Sequence, residues 1–421
     1  MRVVHINKSD AGGGAAVAAL RIHRALMRSG VDSHFLTQDK RRSEDNEVAV
    51  GAGRLYEAAN FARFAWERLT FLPYEKENSL RYNFSPANVG RSLARHPEVQ
   101  QADIIHLHWI NQGYLSLDGL AELFALGKPV VWTLHDMWAF TGGCHYAGSC
   151  LEFNEHCGHC PFLRKPHASD ISAAILARKR AIYSKANLTA VACSRWLRSM
   201  ASSSTLLQYK PVFNIPNSID TRFYHPLDRN ECRRKLGLPL DKKLIMFGAA
   251  NLLDVRKGFR YLIEALRIMK DSFPALADRI ELVVFGKLSA DSKSMLSFNF
   301  HSLSFVSDPS RLVEIYNAAD VFVLPSLQDN LPNTVVESLS CGTPVVGFEI
   351  GGVPEMVEHG RTGFLAEPKN SLSLANGLYQ VLFFDAGGDL RQASRRHAIE
   401  SFSEENVAQQ YINVYQSVLQ K

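Results

Sequence analysis

Asp329 and Glu337 are the first candidates for chemistry, 8 positions apart, one ahead of a stretch with helical spacing and one inside it. The surrounding run, VFVLPSLQDNLPNTVVESLSCGTPVV, reads as a buried strand, a turn, a helix and a second buried strand. The amides of Asn330, Asn333 and Thr334 fall at the helix start, where donors lack intrahelical partners and the dipole favours an anion. Amides for a phosphate beside carboxylates for sugar hydroxyls suit a nucleotide-sugar.

Arg256-Lys257-Gly258 follows one apolar stretch and opens a helical one. Two cations at a helix start oppose its dipole, and a diphosphate would relieve that cost. A solvated surface pair is the plainer alternative. Gly12-Gly13-Gly14 likewise joins a strand to a helix. Glycine lets the backbone approach a phosphate closely. The run is neither GxGxxG nor a Walker loop, and a tight turn would explain it equally well. His135-Asp136 follows the apolar Val130–Leu134, at the strand end where sites form in parallel sheets. His106 and His108 alternate in IIHLHW, and His106 reads as a satisfied core histidine.

Four of the 7 cysteines cluster as C-x5-C-x6-C-x2-C: Cys144, Cys150, Cys157 and Cys160. A closing CxxC with two cysteines from short loops fits a tetrahedral structural zinc site, with His145, His156 and His159 as substitute ligands. Disulfides and free thiols are the alternatives, the former disfavoured in a reducing compartment. An aspartate-rich motif that would hold a metal on a diphosphate is absent from the sequence. A catalytic metal is therefore not expected.

The elements that must position these residues alternate. Arg2–Ile6, Ile104–Trp109, Pro129–Leu134 and Leu188–Cys193 read as strands in the first half. Lys243–Phe247, Ile280–Phe285, Leu303–Val306, Val321–Leu324 and Pro344–Phe348 do so in the second. Helical spacing marks Ala15–Met27, Gly258–Lys270, Ser310–Ala318, Asn333–Ser340 and Glu404–Leu419. Near-continuous Val/Ile/Leu strands between helices predict parallel sheets covered on both faces. A boundary near Pro211–Pro226, rich in Pro and Asn, predicts one doubly wound domain over 1–213, another over 214–403, and a closing helix over 404–421. Ligands in such sheets bind beyond the strand ends, so a cleft between two facing domains is the expected site.

The formal charge is +5, but residues 1–213 hold 25 Lys/Arg against 18 Asp/Glu. A basic first half can face phosphates or an anionic membrane surface. No arginine-rich run is present, which argues against nucleic acid. The segment Arg54–Leu72 places Phe61, Phe64, Trp66 and Phe71 among Arg54, Arg63 and Arg68. It predicts either a helix docking on the inner face of a membrane or one packing its aromatic face on the domain. With no signal peptide or spanning run, a cytoplasmic protein is expected.

In order along the chain, Gly12–Gly14, DIIHLHW at Asp103–Trp109, TLHDMW at Thr133–Trp138, NIPNSID at Asn214–Asp220, RKG at Arg256–Gly258, the Asp329/Glu337 pair, GGVPEMV at Gly351–Val357 and a turn at Gly363–Leu365 resemble glycosyltransferase family 4. These are retaining nucleotide-sugar transferases of the GT-B fold, many of them in envelope polysaccharide synthesis. The resemblance implies an α/β chain of two facing Rossmann-like domains, with a C-terminal helix crossing back to the first. It implies that Glu337 binds the ribose, while Asp329 and the amides of Asn330, Leu331, Asn333 and Thr334 hold the donor hexose. Lys257, Arg256, Gly13 and Gly14 would stabilise the leaving diphosphate. His135 would contact the donor sugar, and the backbone at Val306 the base. The family's first acid is usually glutamate, where this chain has Asp329. Many members carry arginine where this chain has Asn251, which shifts the cationic load to Lys257 and Arg256.

The implied reaction moves a sugar from a nucleoside diphosphate to a glycan acceptor, lipid-linked in envelope assembly. Alternatives on the same fold are a nucleotide-sugar epimerase, a phosphorylase, or a non-catalytic nucleotide-sugar binder. A phosphorylase would need a pyridoxal-phosphate lysine motif, which the sequence lacks.

Overall fold

Alternate residues of the first strands go to opposite faces. Val4, Ile6, Ile105 and Leu107 enter one core, while Val3, Ile104 and Val131 enter another. Both faces being apolar, both must be covered, which requires crossover connections and parallel pairing. The computed structural model describes residues 1–42, 46–249, 254–286, 293–303, 306, 308–384 and 389–420. It shows a parallel sheet from β1 (Arg2–Ser9), β2 (Asp32–Asp39), β3 (Glu47–Ala49), β4 (Ile104–Leu107), β5 (Val130–Leu134), β6 (Leu188–Ala192) and β7 (Val212–Asn214), in the order β3-β2-β1-β4-β5-β6-β7.

A second parallel sheet holds β8 (Lys243–Ala249), β9 (Ile280–Gly286), β10 (Phe300–Ser302), β11 (Val321–Leu324), β12 (Val345–Phe348) and β13 (Gly363–Ala366), in the order β10-β9-β8-β11-β12-β13. Both are doubly wound α/β sheets. Each reverses direction once, between β1 and β4 and between β8 and β11. Such reversal points open the crevice in which ligands bind. The chain divides into two compact units, Met1–Ser218 with Val407–Lys421, and Ile219–Asn406.

Three readings of the sequence need correction. Gly363-Phe364-Leu365 is not a turn but the edge strand β13, paired with Val345–Gly347 of β12. Of the strand expected at Leu303–Val306, residues 304 and 305 lie outside the described residues; among the described ones the strand is Phe300–Ser302, and Leu303 follows it, donating its N–H to the Val284 carbonyl. The aromatic face of the helix Arg54–Phe71 is not its packed face. Phe71 is buried, but so are Asn60, Glu67 and Arg68, while Leu55, Phe61, Trp66 and Leu69 are exposed. The polar inner face is held by internal contacts, since Arg68 pairs with Glu67 and donates to the carbonyls of Arg81 and Phe84.

The helix Glu404–Leu419 places Val407, Ala408, Tyr411, Val414, Tyr415 and Val418 against Val3, Ile22, Leu26, Ile104, Val131 and Val191. It therefore completes one face of the first sheet.

Candidate active site

In the second unit, β11 carries the chain into the loop that begins at Pro325. Asp329 and Lys257 meet there. Lys257 closes a short 3-10 turn, Val255–Lys257, whose N-cap Asp254 accepts the Arg256 N–H. Gly258 follows with φ 64 and opens the helix Phe259–Ser272. A Cβ at Gly258 would overlap the Pro325 carbonyl, and the Leu327 N–H donates to the Arg256 carbonyl at 2.6 Å. The backbones of the two loops are thus locked together. Lys257 Nζ donates to Asp329 Oδ2 at 2.7 Å, and Ser326 Oγ to the same oxygen at 3.3 Å. Asp329 Oδ1 accepts the Asn330 N–H at 3.1 Å. Arg256 is turned onto Asp254, at 2.6 Å.

Gly351 explains part of the GGVPEMV run. Its φ is 52, and a Cβ would overlap the Asp329 carbonyl, to which the Gly352 N–H also donates. A side chain there would push the acid out of place.

Glu337 lies within the helix Asn333–Ser340, whose Val335, Val336 and Leu339 pack inward. Pro332 occupies the N-cap position and makes no side-chain cap bond. The Glu337 side chain is buried, and its Oε2 accepts the Tyr316 O–H at 2.8 Å. Burial, with the neighbouring Glu337 carboxylate, pushes the Tyr316 phenol well above its usual range, so it remains a donor. Asn330 and Leu331 are buried beside the loop, and Asn333 and Thr334 are half-buried at the helix start. Val306 is half-buried, and Asn251 lies outside the described residues.

In the first unit, Gly12 takes φ 90 and Gly13 caps the helix Gly14–Arg28 in an extended conformation. Among the described residues, a Cβ at Gly13 would meet nothing within 4 Å, so none of them requires glycine there. His135 and Asp136 follow β5. Asp136 is spent on the scaffold: it accepts from Trp109 Nε1 at 3.0 Å and from the Trp138 N–H at 2.8 Å, and pairs with His145 Nδ1 at 2.7 Å. Burial alone would raise its pKa, but His145 and these donors hold the carboxyl below its ordinary value. His145 Nε2 meets Ser85 Oγ at 2.9 Å, so both ring nitrogens of that suggested substitute metal ligand are occupied. His135 is half-buried, and desolvation lowers its pKa to about 4.

Cys144, Cys150, Cys157 and Cys160 line one small cavity, and none is in a disulfide. Cys157 and His159 both take positive φ around Gly158, a strained turn for side chains to adopt. Burial pushes the Cys157 thiol to about 11 and the Cys160 thiol to about 12. Among the described residues, the ligand atoms that approach within 4.8 Å as a trio are those of His5, His106 and His108, so no three of the sulfurs come that close together.

Tyr316 and Ser326 were not singled out by sequence reasoning, and Gly351 entered only as part of the GGVPEMV run, with no role of its own. Gly351 had a signal in its paired glycines; Tyr316 sits on a preceding helix with no motif around it.

The description "Glycosyltransferase Family 4" matches residues 12–223, and "Glycosyl transferases group 1" matches residues 241–383. The putative colanic acid biosynthesis glycosyl transferase WcaC of Escherichia coli is 26% identical, over 99% of this chain and 100% of its own length. Among solved structures, Anabaena Alr3699/HepE in complex with UDP and glucose superposes with a TM-score of 0.61 at 17% identity, covering 99% of this chain and 100% of that one. WaaG, a glycosyltransferase involved in lipopolysaccharide biosynthesis, superposes with a TM-score of 0.61 at 16% identity, covering 98% and 99%. The chain shares their GT-B fold.

Proposed function

The chain belongs to glycosyltransferase family 4 and is a glycosyltransferase, and from this premise we propose that it moves a sugar, with retention of anomeric configuration, from a nucleoside diphosphate to a lipid-linked glycan of the cell envelope. The Lys257–Asp329 pair at the reversal point of the second sheet carries the reading. It couples a cation suited to phosphate with a carboxylate suited to hexose hydroxyls. Glu337, held by Tyr316, is assigned the ribose. The amides of Asn330, Leu331, Asn333 and Thr334 are assigned to the donor, with Arg256 supporting Lys257. His135 is assigned the donor sugar, and Gly13 and Gly14 the phosphates. Gly13 has room around it that the described residues do not fill, which favours close approach by a ligand.

Breaking the anomeric bond leaves negative charge on the diphosphate. A preorganised cation and amides stabilise that charge without reorganising at the moment of reaction, an effect of roughly several kcal/mol. The departing oxygens take the acceptor's proton. Envelope assembly is supported by what WcaC and WaaG are named for, and a nucleotide-sugar donor by the UDP bound to HepE. Thermal shift against a panel of UDP-, GDP- and ADP-sugars tests the reading, since a ligand of the native state raises Tm. One donor should stabilise the protein, and Glu337→Ala should abolish the shift; an unchanged shift in that variant would overturn the assignment.

Two further parts of the proposal concern the first unit. The exposed stripe Leu55, Phe61, Trp66 and Leu69 is apolar over the length of its helix. Beside it an open cavity of about 760 Å³ is lined by Lys8, Lys40, Arg41, Tyr56, Phe61 and Phe64, the three cations outnumbering Asp39 and Glu57 on the same wall. Cations next to exposed aromatics suit an anionic lipid surface and an acceptor that bears phosphate. The four cysteines are assigned a structural zinc. Reaching it requires the sulfurs to draw in to roughly 3.8 Å from one another and to lose their protons.

A further inference from the structure

A row of buried histidines runs behind His135. His135 Nε2 lies 3.1 Å from His108 Nδ1, and His108 Nε2 lies 2.9 Å from His5 Nδ1. His5 and His108 sit on the neighbouring strand β1 and just beyond β4, with their rings stacked at 5.2 Å. His5, His106 and His108 bring ligand atoms within 4.8 Å of one another, but they do not converge on a metal. His106 meets Tyr415 at 2.6 Å and Thr133 at 2.7 Å, so five of the six ring nitrogens in the trio already have hydrogen-bond partners. The remaining nitrogen, His5 Nε2, is buried without a partner among the described residues.

That orphan sets the direction of the row. Burial keeps His5, His108 and His135 neutral, so each ring has one N–H and one bare nitrogen. The two His–His bonds must then point the same way. If His135 Nε2–H donated inward, His108 Nε2–H would donate to His5 Nδ1, and His5 Nε2–H would be a buried donor with no acceptor. If the row runs outward, His5 Nε2 is only a bare lone pair. Orphaned buried N–H groups are the rarer and costlier case. Outward, His5 Nδ1–H donates to His108 and His108 Nδ1–H donates to His135 Nε2.

We propose that His108, backed by His5, is a positioning residue that fixes His135 as the Nδ1–H tautomer, so that His135 meets the donor sugar as a hydrogen-bond donor and does not serve as a base through Nε2. The proposal rests on the assignment of His135 to the donor sugar. Cys193 Sγ lies 4.0 Å from His135 Nδ1, and burial pushes that thiol up to about 12, so it places no charge there.

The test is the ring-nitrogen spectrum of the full chain labelled with 15N-histidine, the His135 signals being those lost in His135→Gln. The expected result is a protonated Nδ1 and a bare Nε2; a protonated Nε2 in the unaltered protein overturns the proposal. Kinetics give a second readout. His108→Phe keeps a ring but no hydrogen bond and should lower kcat/KM about tenfold, the worth of one ordinary hydrogen bond. His108→Gln can still accept from His5 and donate to His135, and should stay within about threefold. Equal losses in the two variants count against the relay. Should His108→Phe fail to fold, the tautomer measurement alone decides. His135→Gln separates the two layers. If it leaves transfer intact, the site assignment fails. If it impairs transfer while the tautomer is Nε2–H, only the relay fails.

Discussion

Asp329→Asn removes a charge and keeps a shape, and its two expected effects have opposite signs. Lys257 Nζ and Asp329 Oδ2 are 2.7 Å apart, with side chains 32% and 13% exposed. A pair that open to solvent has a net worth of about 1 kcal/mol or less. On the assignment proposed above, a nucleoside diphosphate has to draw Lys257 away from that partner. Without the carboxylate the competition disappears, so affinity for the sugar-free nucleoside diphosphate should rise by up to about fivefold. Transfer should fall. Hydrogen bonds to a charged group contribute about 1.5–3 kcal/mol, so losing the carboxylate as a hexose acceptor should cut kcat/KM by roughly 10- to 100-fold. Calorimetric titration with the nucleoside diphosphate and initial rates with its sugar measure the two quantities on one preparation. A parallel loss of both would refute the competition between Asp329 and phosphate. Unchanged transfer would refute the role given to Asp329.

Tyr316→Phe leaves the buried Glu337 carboxylate without its hydroxyl donor, and should weaken donor binding about tenfold while lowering Tm; a donor titration matching the parent would dissociate Tyr316 from the site. Acid should destabilise the fold early. Burial holds His135 at about 4 and His23 at about 3 against an ordinary 6.5, so below about pH 6.5 the unfolded chain takes up protons that the native state refuses. Stability present above pH 6.5 should be lost on descending towards pH 4, by roughly 1.4 kcal/mol per pH unit for each such histidine, and melting curves that stay flat across that interval would contradict it. Phe61→Ser with Trp66→Ser should reduce co-sedimentation with anionic vesicles at least about tenfold and leave Tm unaltered, since the two side chains are 70% and 60% exposed. If the parent protein stays in the supernatant at low salt, the lipid surface is the wrong partner. Protein purified without chelator should carry about one zinc per chain, with Cys160→Ser losing both metal and stability; a stoichiometry near zero sinks the zinc assignment.

The sheets were legible because their strands are short apolar runs at regular intervals, and helices such as Asn333–Ser340 announced themselves by period. The strands missed were those with mixed composition. Asp32–Asp39 contains Asp, Ser, His, Thr and Gln, and its strand character comes from pairing with β1 along its whole length. Edge strands β7 and β13 gain their structure from one neighbour, which no local pattern records. At the site, Lys257, Asp329 and Glu337 could be picked out because their residue types are unusual in their settings. Their partners could not. Tyr316 stands 21 residues from Glu337, and His5 stands 103 from His108. Contacts at such separations are fixed by tertiary packing, and a buried hydroxyl or imidazole looks in sequence like any other core residue. The helix Arg54–Phe71 stayed ambiguous in sequence for a different reason. Its aromatic residues fitted a packed face and a membrane-facing one alike, and no local pattern showed that Glu67 and Arg68 pair inside and leave the apolar stripe outward.

The last helix has a consequence for synthesis. Tyr411 and Tyr415 reach Thr133 and His106 beneath the first sheet, so that sheet lacks one of its walls until residues beyond Val407 have left the ribosome. Residues 219–406 are translated before that wall exists and form a compact unit of their own. Domains generally fold as units while the chain emerges. The order of maturation is therefore inverted relative to the order of translation: the part made second can close first, and the part made first must wait, with an apolar face uncovered, for the helix that follows it.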